Sequence, residues 1–396
     1  MNQVLHGDCL EQLTILDADS VDLMATDPPY GYEFMGKGWD RGVASEEVWK
    51  ECLRVLKPGG FAFVMSTPRQ DLLAQSIVNL RDAGFDISTT SLYWAYTSGR
   101  PVAIDIGVAV DRKLGVEREV VATVRRMSGW SWQNTQNFRH GYRPKNYART
   151  DDVMNLTEAT SEEAKELDGS YSHFKPKPAT EVVIVAKKPN AKSSAVDQAM
   201  DNGKGVTWLE DARIPFANAD DERRVSVGFQ NARGLTGDEG VPAPAGRFPA
   251  NLLCSDDSFD DYSMYFDLDL WWTKLTEGLP EAVRDRLPYI FCSKAGVNER
   301  GDYNEHPTVK PIKLMSYLVI LGSRAGDLVL DPFAGSGSTL IAAKILDRLY
   351  VGIEKEDEYV ELIERRLSEW HTVADLTVNR SGHRVKEEGI EYESFV

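Results

Sequence analysis

The sequence predicts an α/β fold with a mostly parallel sheet. Short apolar runs alternate with helix-length segments near both ends of the 396-residue chain, and that alternation builds βαβ units. Two of the runs end in motifs rich in proline or glycine, where a strand must stop and the chain must turn. Between the two ends lie long polar stretches of weak periodicity, which read as insertions into one sheet domain.

Residues 21–26 form an apolar run ending at Asp27-Pro28-Pro29-Tyr30, where two prolines forbid further ladder pairing. Residues 46–55 carry Val48, Trp49, Cys52, Leu53 and Val55 at helical spacing and stop at Lys57-Pro58-Gly59-Gly60, a predicted turn. A buried strand over 61–65, a helix over 72–83 and a β-branched, aromatic strand over 89–96 follow. Late in the chain the pattern returns: a helix over 311–323, a strand over 328–330, a helix over 339–346, a strand over 350–354 and a helix over 358–370. Residues 181–186 read as one more buried strand, standing alone between the insertions. The sheet is therefore drawn from 1–97, 179–188 and 288–372, the insertions are 98–178 and 189–287, and 373–396 is a charged tail.

Composition excludes several classes. Hydrophobic residues make up 42% and charged residues 27%, values of a folded chain rather than a disordered, collagenous or disulfide-stapled one. The four cysteines (Cys9, Cys52, Cys254, Cys292) form no Cys-x-x-Cys and have no histidine at zinc spacing, so reduced thiols and no metal site are expected. The first residues lack the basic start and apolar core of a signal peptide. The longest apolar stretch, near 314–321, is too short to span a bilayer. The expectation is a soluble cytoplasmic protein with no membrane partner. The net charge of −17 also argues against a polyanionic partner, although it does not say where the charges sit.

Two motifs carry chemistry. Asp331-Pro332-Phe333-Ala334-Gly335-Ser336-Gly337-Ser338-Thr339 leaves a predicted strand and opens a predicted helix, where open α/β sheets bind ligands and glycines allow close backbone approach. Glu354 ends the next strand, 23 residues after Asp331, where an acidic residue commonly receives ribose hydroxyls. A phosphate-binding P-loop would need a lysine after the last glycine, and the dinucleotide fingerprint would need glycine where Leu340 stands. Both readings fail, and the plain alternative is a tight strand–helix turn with no ligand. The second motif is Asp27-Pro28-Pro29-Tyr30. Its prolines leave the Pro28 carbonyl free to accept a hydrogen bond, Asp27 is a second acceptor, and Tyr30 offers a ring to stack on. Two acceptors and an aromatic face fit the exocyclic amine of a base drawn out of its helix; a proline turn with a surface tyrosine is the plain alternative.

Together these residues resemble the S-adenosylmethionine-dependent amino-methyltransferases that modify DNA. Asp27-Pro28-Pro29-Tyr30 is similar to their catalytic motif and the loop from Asp331 to their cofactor loop. His306-Pro307-Thr308-Val309-Lys310-Pro311 is similar to the segment before that loop, and Gly7-Asp8-Cys9-Leu10 to their adenine-contacting start. The order, catalytic motif first and cofactor loop last, is the permuted order of the group called β. The likeness covers 4–96 and 289–370 well; the insertions carry weaker echoes at Lys177-Pro178-Ala179-Thr180-Glu181 and over 246–252.

The resemblance implies a Rossmann-like methyltransferase sheet with helices on both faces and an inserted target-recognition region. The catalytic half would be 1–97, the cofactor half 288–372, and recognition would fall to the insertions. It implies S-adenosyl-L-methionine as cofactor. Asp331, Phe333, Ala334, Gly335, Ser336 and Gly337 would cradle its methionine part, Glu354 would hold its ribose and Asp8 its adenine, and Thr308 and Lys310 its carboxylate. It implies transfer to an amine of double-stranded DNA held by Asp27, Pro28, Pro29 and Tyr30. In that family an Asp at the first motif position leans to adenine N6 and a Ser to cytosine N4, so adenine is expected. Carbon-5 methylation is disfavoured, because no cysteine follows a proline. The alternatives are an N4-cytosine enzyme, an RNA methyltransferase, or a regulator that binds cofactor and DNA without turnover.

Charge position now matters more than net charge. Residues 122–150 hold Arg125, Arg126, Arg139, Arg143, Lys145 and Arg149 and no acid, a local charge of +6, interleaved with Trp130, Trp132, Phe138, Tyr142 and Tyr147. Cations for phosphates and aromatics for stacking make this the expected DNA contact, against the plain alternative of a solvated basic loop; Arg223, Arg224 and Arg233 are weaker candidates. Acids gather at Asp256, Asp257, Asp260, Asp261, Asp267 and Asp269, before Trp271 and Trp272. That aromatic-rich stretch is either a solvated face or the interface of a homodimer. A cognate restriction endonuclease, as a separate chain, is a further possible partner.

Overall fold

The computed structural model describes residues 2–32, 42–96, 103–125, 153–172, 179–216, 222, 246–254, 267–276, 304, 306 and 309–370. Among them, eight strands form one sheet. Their spatial order is β1 (Gln3–His6), β10 (Leu349–Glu354), β9 (Leu328–Asp331), β2 (Val21–Thr26), β3 (Leu56–Ser66), β7 (Thr180–Lys187), β4 (Leu92–Ala95) and β8 (Leu252–Cys254). From β1 to β3 in that order all neighbours are parallel; β7 runs antiparallel to both β3 and β4, and β8 is parallel to β4. A separate antiparallel ribbon pairs β5 (Glu119–Arg125) with β6 (Val153–Glu158).

Helices cover both faces, and the period-two alternation of the strands assigns them. Leu23 and Ala25 of β2, with Phe63 and Met65 of β3, pack in one core with α7 (Leu268–Thr276), α8 (Ile312–Gly322), α9 (Ser338–Ile345) and α10 (Asp357–Glu369). Met24, Ala62 and Val64 point the other way, into a core with α1 (Cys9–Leu13), α2 (Glu46–Val55) and α3 (Gln70–Asp82). This is the α/β sheet with helices on both faces that the sequence predicts. Every residue of α8 is buried, as befits a helix apolar on all sides and closed in by its neighbours.

Close approach of α9 to the sheet is achieved from the strand side. A dinucleotide-binding chain places a glycine on the helix for this purpose. Here Leu340 holds that helix position, and Gly352 of β10 makes the room: a Cβ on it would lie 2.4 Å from Leu340 Cδ1.

Four features depart from the sequence reading. The Lys57-Pro58-Gly59-Gly60 segment is not a turn between α2 and a strand, because β3 already begins at Leu56 and bulges: Val21 faces Leu56 while Leu23 faces Phe61. Its backbone stays paired, Gly59 N donating to Lys188 O and Gly205 N to Gly59 O. Second, residues 189–287 are not wholly outside the sheet, since β8 forms its edge. Third, the weakly periodic 98–178 contains α4 (Ile106–Leu114), the β5–β6 ribbon and α5 (Glu162–Glu166). Fully buried Asp111 ties these together, accepting from Arg118 Nη1 (2.8 Å), Thr160 N (3.1 Å) and the Ser161 amide and hydroxyl (3.0 and 2.6 Å). Fourth, Trp271 and Trp272 are buried against α8, with the Trp271 ring edge-on to Tyr317 at 4.9 Å. They are core; residues 256–266, with the aromatics Phe259, Tyr262, Tyr265 and Phe266 on which the homodimer expectation rests, lie outside the described residues. No described helix is long and apolar enough to cross a membrane.

Leu23 is fully buried at the centre of the sheet, beside α8. Leu23→Ala is expected to cost about 2–5 kcal/mol, read as a lower midpoint in urea unfolding.

Candidate active site

The winding of the chain through the sheet reverses between β9 and β2, which are parallel neighbours. From β9 the chain crosses to β10, on the side of β1; from β2 it crosses to β3, on the other side. Strand carboxyl ends at such a switch point frame a crevice, and both sequence motifs sit there. The two strand ends are bonded to each other: Thr26 Oγ1 donates to Asp331 Oδ1 at 2.6 Å.

The loop after β9 requires its glycines. Gly335 (φ 53°) and Gly337 (φ 77°) are left-handed, and a Cβ on Gly335 would lie 2.9 Å from His306 Nε2. Its amides are held by acids. Phe333 N donates to Asp331 Oδ1 (3.1 Å) and Gly335 N to Glu354 Oε2 (2.7 Å), while Glu354 Oε1 receives Lys355 N (2.8 Å) and Glu356 N (2.9 Å). Buried Arg366 of α10 donates to the Ser336 carbonyl. Burial pushes the Asp331 carboxyl up to about 6 and holds Glu354 above the usual carboxylate range.

At the end of β2, the Asp27 carboxylate is bound on both oxygens. Tyr30 Oη donates to Oδ1 at 2.7 Å and Lys310 Nζ to Oδ2 at 2.6 Å. Glu181, at the start of β7, meets the same two groups, 3.2 Å from Tyr30 Oη and 3.3 Å from Lys310 Nζ. Burial raises Asp27, and with the Glu181 charge it outweighs the opposing Lys310 ammonium. Burial pulls Lys310 down, but Asp27 and Glu181 prevail and its ammonium is held above its ordinary value.

A cavity of about 270 Å³ opens between the two motifs. Asp8, Asp27, Pro28, Pro29, Tyr30, Lys310, Asp331, Phe333, Ala334, Gly335, Ser336 and Glu354 all line it. Gly337 stands behind, as the residue capping the start of α9. Asp8 likewise caps α1, its Oδ1 accepting from Leu10 N at 3.1 Å. Thr308, Arg126, Arg139, Arg143, Lys145 and Arg149 lie outside the described residues, and Arg125 ends β5 in the ribbon. Cys9, Tyr32, His306, Lys355 and Tyr359 also line the cavity; Cys9 and His306 stand within sequence motifs that give them no role, and sequence reasoning does not single out Tyr32, Lys355 or Tyr359. Glu181 is visible in the sequence as the first residue of the predicted strand 181–186 and the last of the weak echo Lys177-Pro178-Ala179-Thr180-Glu181, with no role given to it. The lining suits a cationic nucleoside: carboxylates from Asp8, Asp27, Asp331 and Glu354, aromatic rings from Tyr30 and Phe333, and a glycine loop a substrate backbone can approach.

The fold and site together define an α/β protein with a cavity at the carboxyl edge of a doubly wound sheet. The family model for N6/N4 methyltransferases, described as DNA methylase, matches residues 21–365, and the chain belongs to that family. It is 40% identical to the type II methyltransferase M2.MboI of Moraxella bovis over 84 residues, 21% of this chain and 30% of that protein. It is 40% identical to M.HinfI of Haemophilus influenzae over 80 residues, 20% of this chain and 22% of that protein. The chain thus matches less than a third of the length of these curated relatives. Among solved structures, the PvuII DNA methyltransferase (cytosine-N4-specific) is 15% identical, covering 92% of this chain and 86% of that one, with a TM-score of 0.43.

Asp331 makes a pH-dependent contribution to stability. Its pKa is raised from 3.8 to about 6, so the folded chain binds this proton more tightly than the unfolded chain. The contribution is complete below 3.8 and is lost as pH rises to about 6. Denaturant titrations should therefore show wild type losing stability relative to Asp331→Asn across that window, with a constant difference at higher pH.

Proposed function

We propose that this chain transfers a methyl group from S-adenosyl-L-methionine to the exocyclic amine of a base flipped out of double-stranded DNA, with adenine N6 as the acceptor. One observation carries the reading. The Asp27 carboxylate and the glycine loop after Asp331 line the same cavity, on strand ends joined by the Thr26–Asp331 hydrogen bond.

The chain's own residues supply binding and alignment. Asp331, Phe333, Ala334, Gly335, Ser336 and Gly337 hold the methionine part of the cofactor, Glu354 its ribose and Asp8 its adenine. Thr308 acts with them, and Lys310 serves this end while bonded to Asp27 and Glu181. Bound there, S-adenosyl-L-methionine supplies an electrophilic methyl group on a sulfonium. An aromatic amine is a poor nucleophile, because its lone pair is delocalised into the ring. Hydrogen bonds from the amine to Asp27 and to the Pro28 carbonyl localise that pair, and Pro29 keeps the turn that presents them. Alignment of amine and methyl is then chiefly a positioning effect. Tyr30, its hydroxyl anchored on Asp27, gives the extruded base a ring to stack on. An aspartate at position 27 supports adenine over cytosine.

Affinity for DNA needs positive charge that the net −17 denies to most of the surface. In this reading the acid-free segment with Arg125, Arg126, Arg139, Arg143, Lys145 and Arg149 provides it.

Incubation with tritiated cofactor and unmethylated phage DNA should label the DNA, and nucleoside mass spectrometry should find N6-methyladenine; N4-methylcytosine would reassign the acceptor. Asp27→Ala should lower transfer at least about 10³-fold, while calorimetry finds cofactor affinity within about threefold. Replacing Arg125, Arg126, Arg139 and Arg143 by glutamine should weaken DNA binding and reduce the slope of log K against log salt by about 3–4, measured by fluorescence anisotropy. An unchanged slope would remove this segment from the DNA interface.

A further inference from the structure

Glu181 has no part in the reaction as set out above, yet it touches two of the groups around Asp27. It arrives there through strand direction. The parallel strands present their carboxyl ends to the cavity edge, and antiparallel β7 presents its amino end to that same edge, with Val182 opposite Ser66 at the end of β3. Glu181 is 9% exposed and is followed by the apolar run 182–186. An ionised carboxylate so placed is costly unless it is paired.

Its pairing leaves a remainder. Among the described residues, the charged groups on Glu181 and its partners are Asp27 and Lys310, with Tyr30 as the hydroxyl between the carboxylates. Two carboxylates and one ammonium sum to −1. As a counter-ion of Lys310 alone Glu181 would be redundant, for Asp27 already fills that role and lies nearer (2.6 against 3.3 Å). The surplus charge is positioned to accept one proton. Tyr30 is the bridge: its hydroxyl is 2.7 Å from Asp27 and 3.2 Å from Glu181, so it can accept from one carboxyl while donating to the other.

We infer that Glu181 is a positioning residue of the transfer site, holding Tyr30 and Lys310 against Asp27 and taking, through the Tyr30 hydroxyl, the proton that the methylated amine releases. The inference rests on the methyl-transfer reading. The amine lone pair forms the new nitrogen–carbon bond as the carbon–sulfur bond breaks with its electrons left on sulfur. The nitrogen, now cationic, gives one proton to Asp27. Asp27 passes it to the Tyr30 oxygen as Tyr30 gives its own proton to Glu181. Asp27 is ionised again, Tyr30 is neutral, the cluster has gone from −1 to 0, and Glu181 returns its proton to water when product leaves.

Glu181→Gln keeps the shape and removes the acceptor. With tritiated cofactor and unmethylated phage DNA, kcat should fall about a hundredfold, the scale of one proton-transfer group. KM for DNA, calorimetric affinity for S-adenosyl-L-methionine and the melting temperature should stay within about threefold, threefold and 3 °C. Loss of the Glu181 charge also removes one of the influences holding Asp27 up, so the acidic limb of the kcat profile should move to lower pH. Glu181→Asp, which restores the charge, should return that limb towards its wild-type position. Turnover by Glu181→Gln within twofold of wild type overturns the inference, as does a joint fall of rate, cofactor affinity and melting temperature with the acidic limb unmoved. Wild-type protein that binds cofactor and DNA but transfers nothing overturns the methyl-transfer reading itself.

Discussion

The hydrogen bond from Thr26 to Asp331 holds the site together. It joins the ends of two parallel strands 305 residues apart in sequence, at the place where the winding of the chain through the sheet reverses. Each strand then leads into a loop of different character. Beyond Thr26, prolines deny the backbone its donors and leave acceptors; beyond Asp331, glycines turn the loop and admit close approach, with the amides of Phe333 and Gly335 taken by Asp331 and Glu354. A crevice between these two unlike loops follows from that junction. The bond also bears on the protonation of the site, because Asp331 is buried and its carboxyl lies near 6, while the hydroxyl of Thr26 and the amide of Phe333 favour its ionised form.

Rigidity in the glycine loop comes from acids that accept backbone amides. Asp331 takes the Phe333 amide and Glu354 the Gly335 amide, while the other Glu354 oxygen is fixed by the amides of Lys355 and Glu356, which helps a turn with two left-handed residues keep one shape. Arg366 reaches the same loop from α10 and takes the Ser336 carbonyl. Helices from one face and a strand end from the sheet thus converge on nine residues of chain. The position of Gly352 belongs to the same economy of space: with a side chain there, α9 could not approach and its amino end would draw back from the crevice.

Legibility from sequence followed the range of the interactions. Elements over 21–26, 46–55 and 349–354 were readable because apolar spacing and punctuation are local. The bulge at the start of β3 was not, since Gly59 looks like a turn until Lys188 and Gly205 are seen to pair with it. The elements of 98–178 depend on Asp111, whose partners lie up to 50 residues away. Trp271 and Trp272 follow an acidic run and read as surface, but α8 needs a cover on its outer side and they supply it. In the candidate site, the motif residues were legible and their mutual contacts were not. Lys310 lies 283 residues from Asp27, and only the folded sheet shows that the two carboxylates share its charge. The place of Glu181 was hidden for a stricter reason: which end of β7 meets the cavity depends on the antiparallel direction of that strand, which has no local signal.

An acidic chain and a polyanionic substrate are compatible once charge is assigned by place. On the methyl-transfer reading proposed above, the acids of the candidate site would face positive charge: a sulfonium at the start, and a proton at the end. Those acids are spent inward, on backbone amides, on Lys310 and on one another, and several are buried. Basic residues concentrate where acids are missing, over 122–150. Binding a cation and binding a polyanion make opposite electrostatic demands, which one surface meets poorly. The sequence separates the two kinds of charge, acids at the strand ends and bases in an insertion.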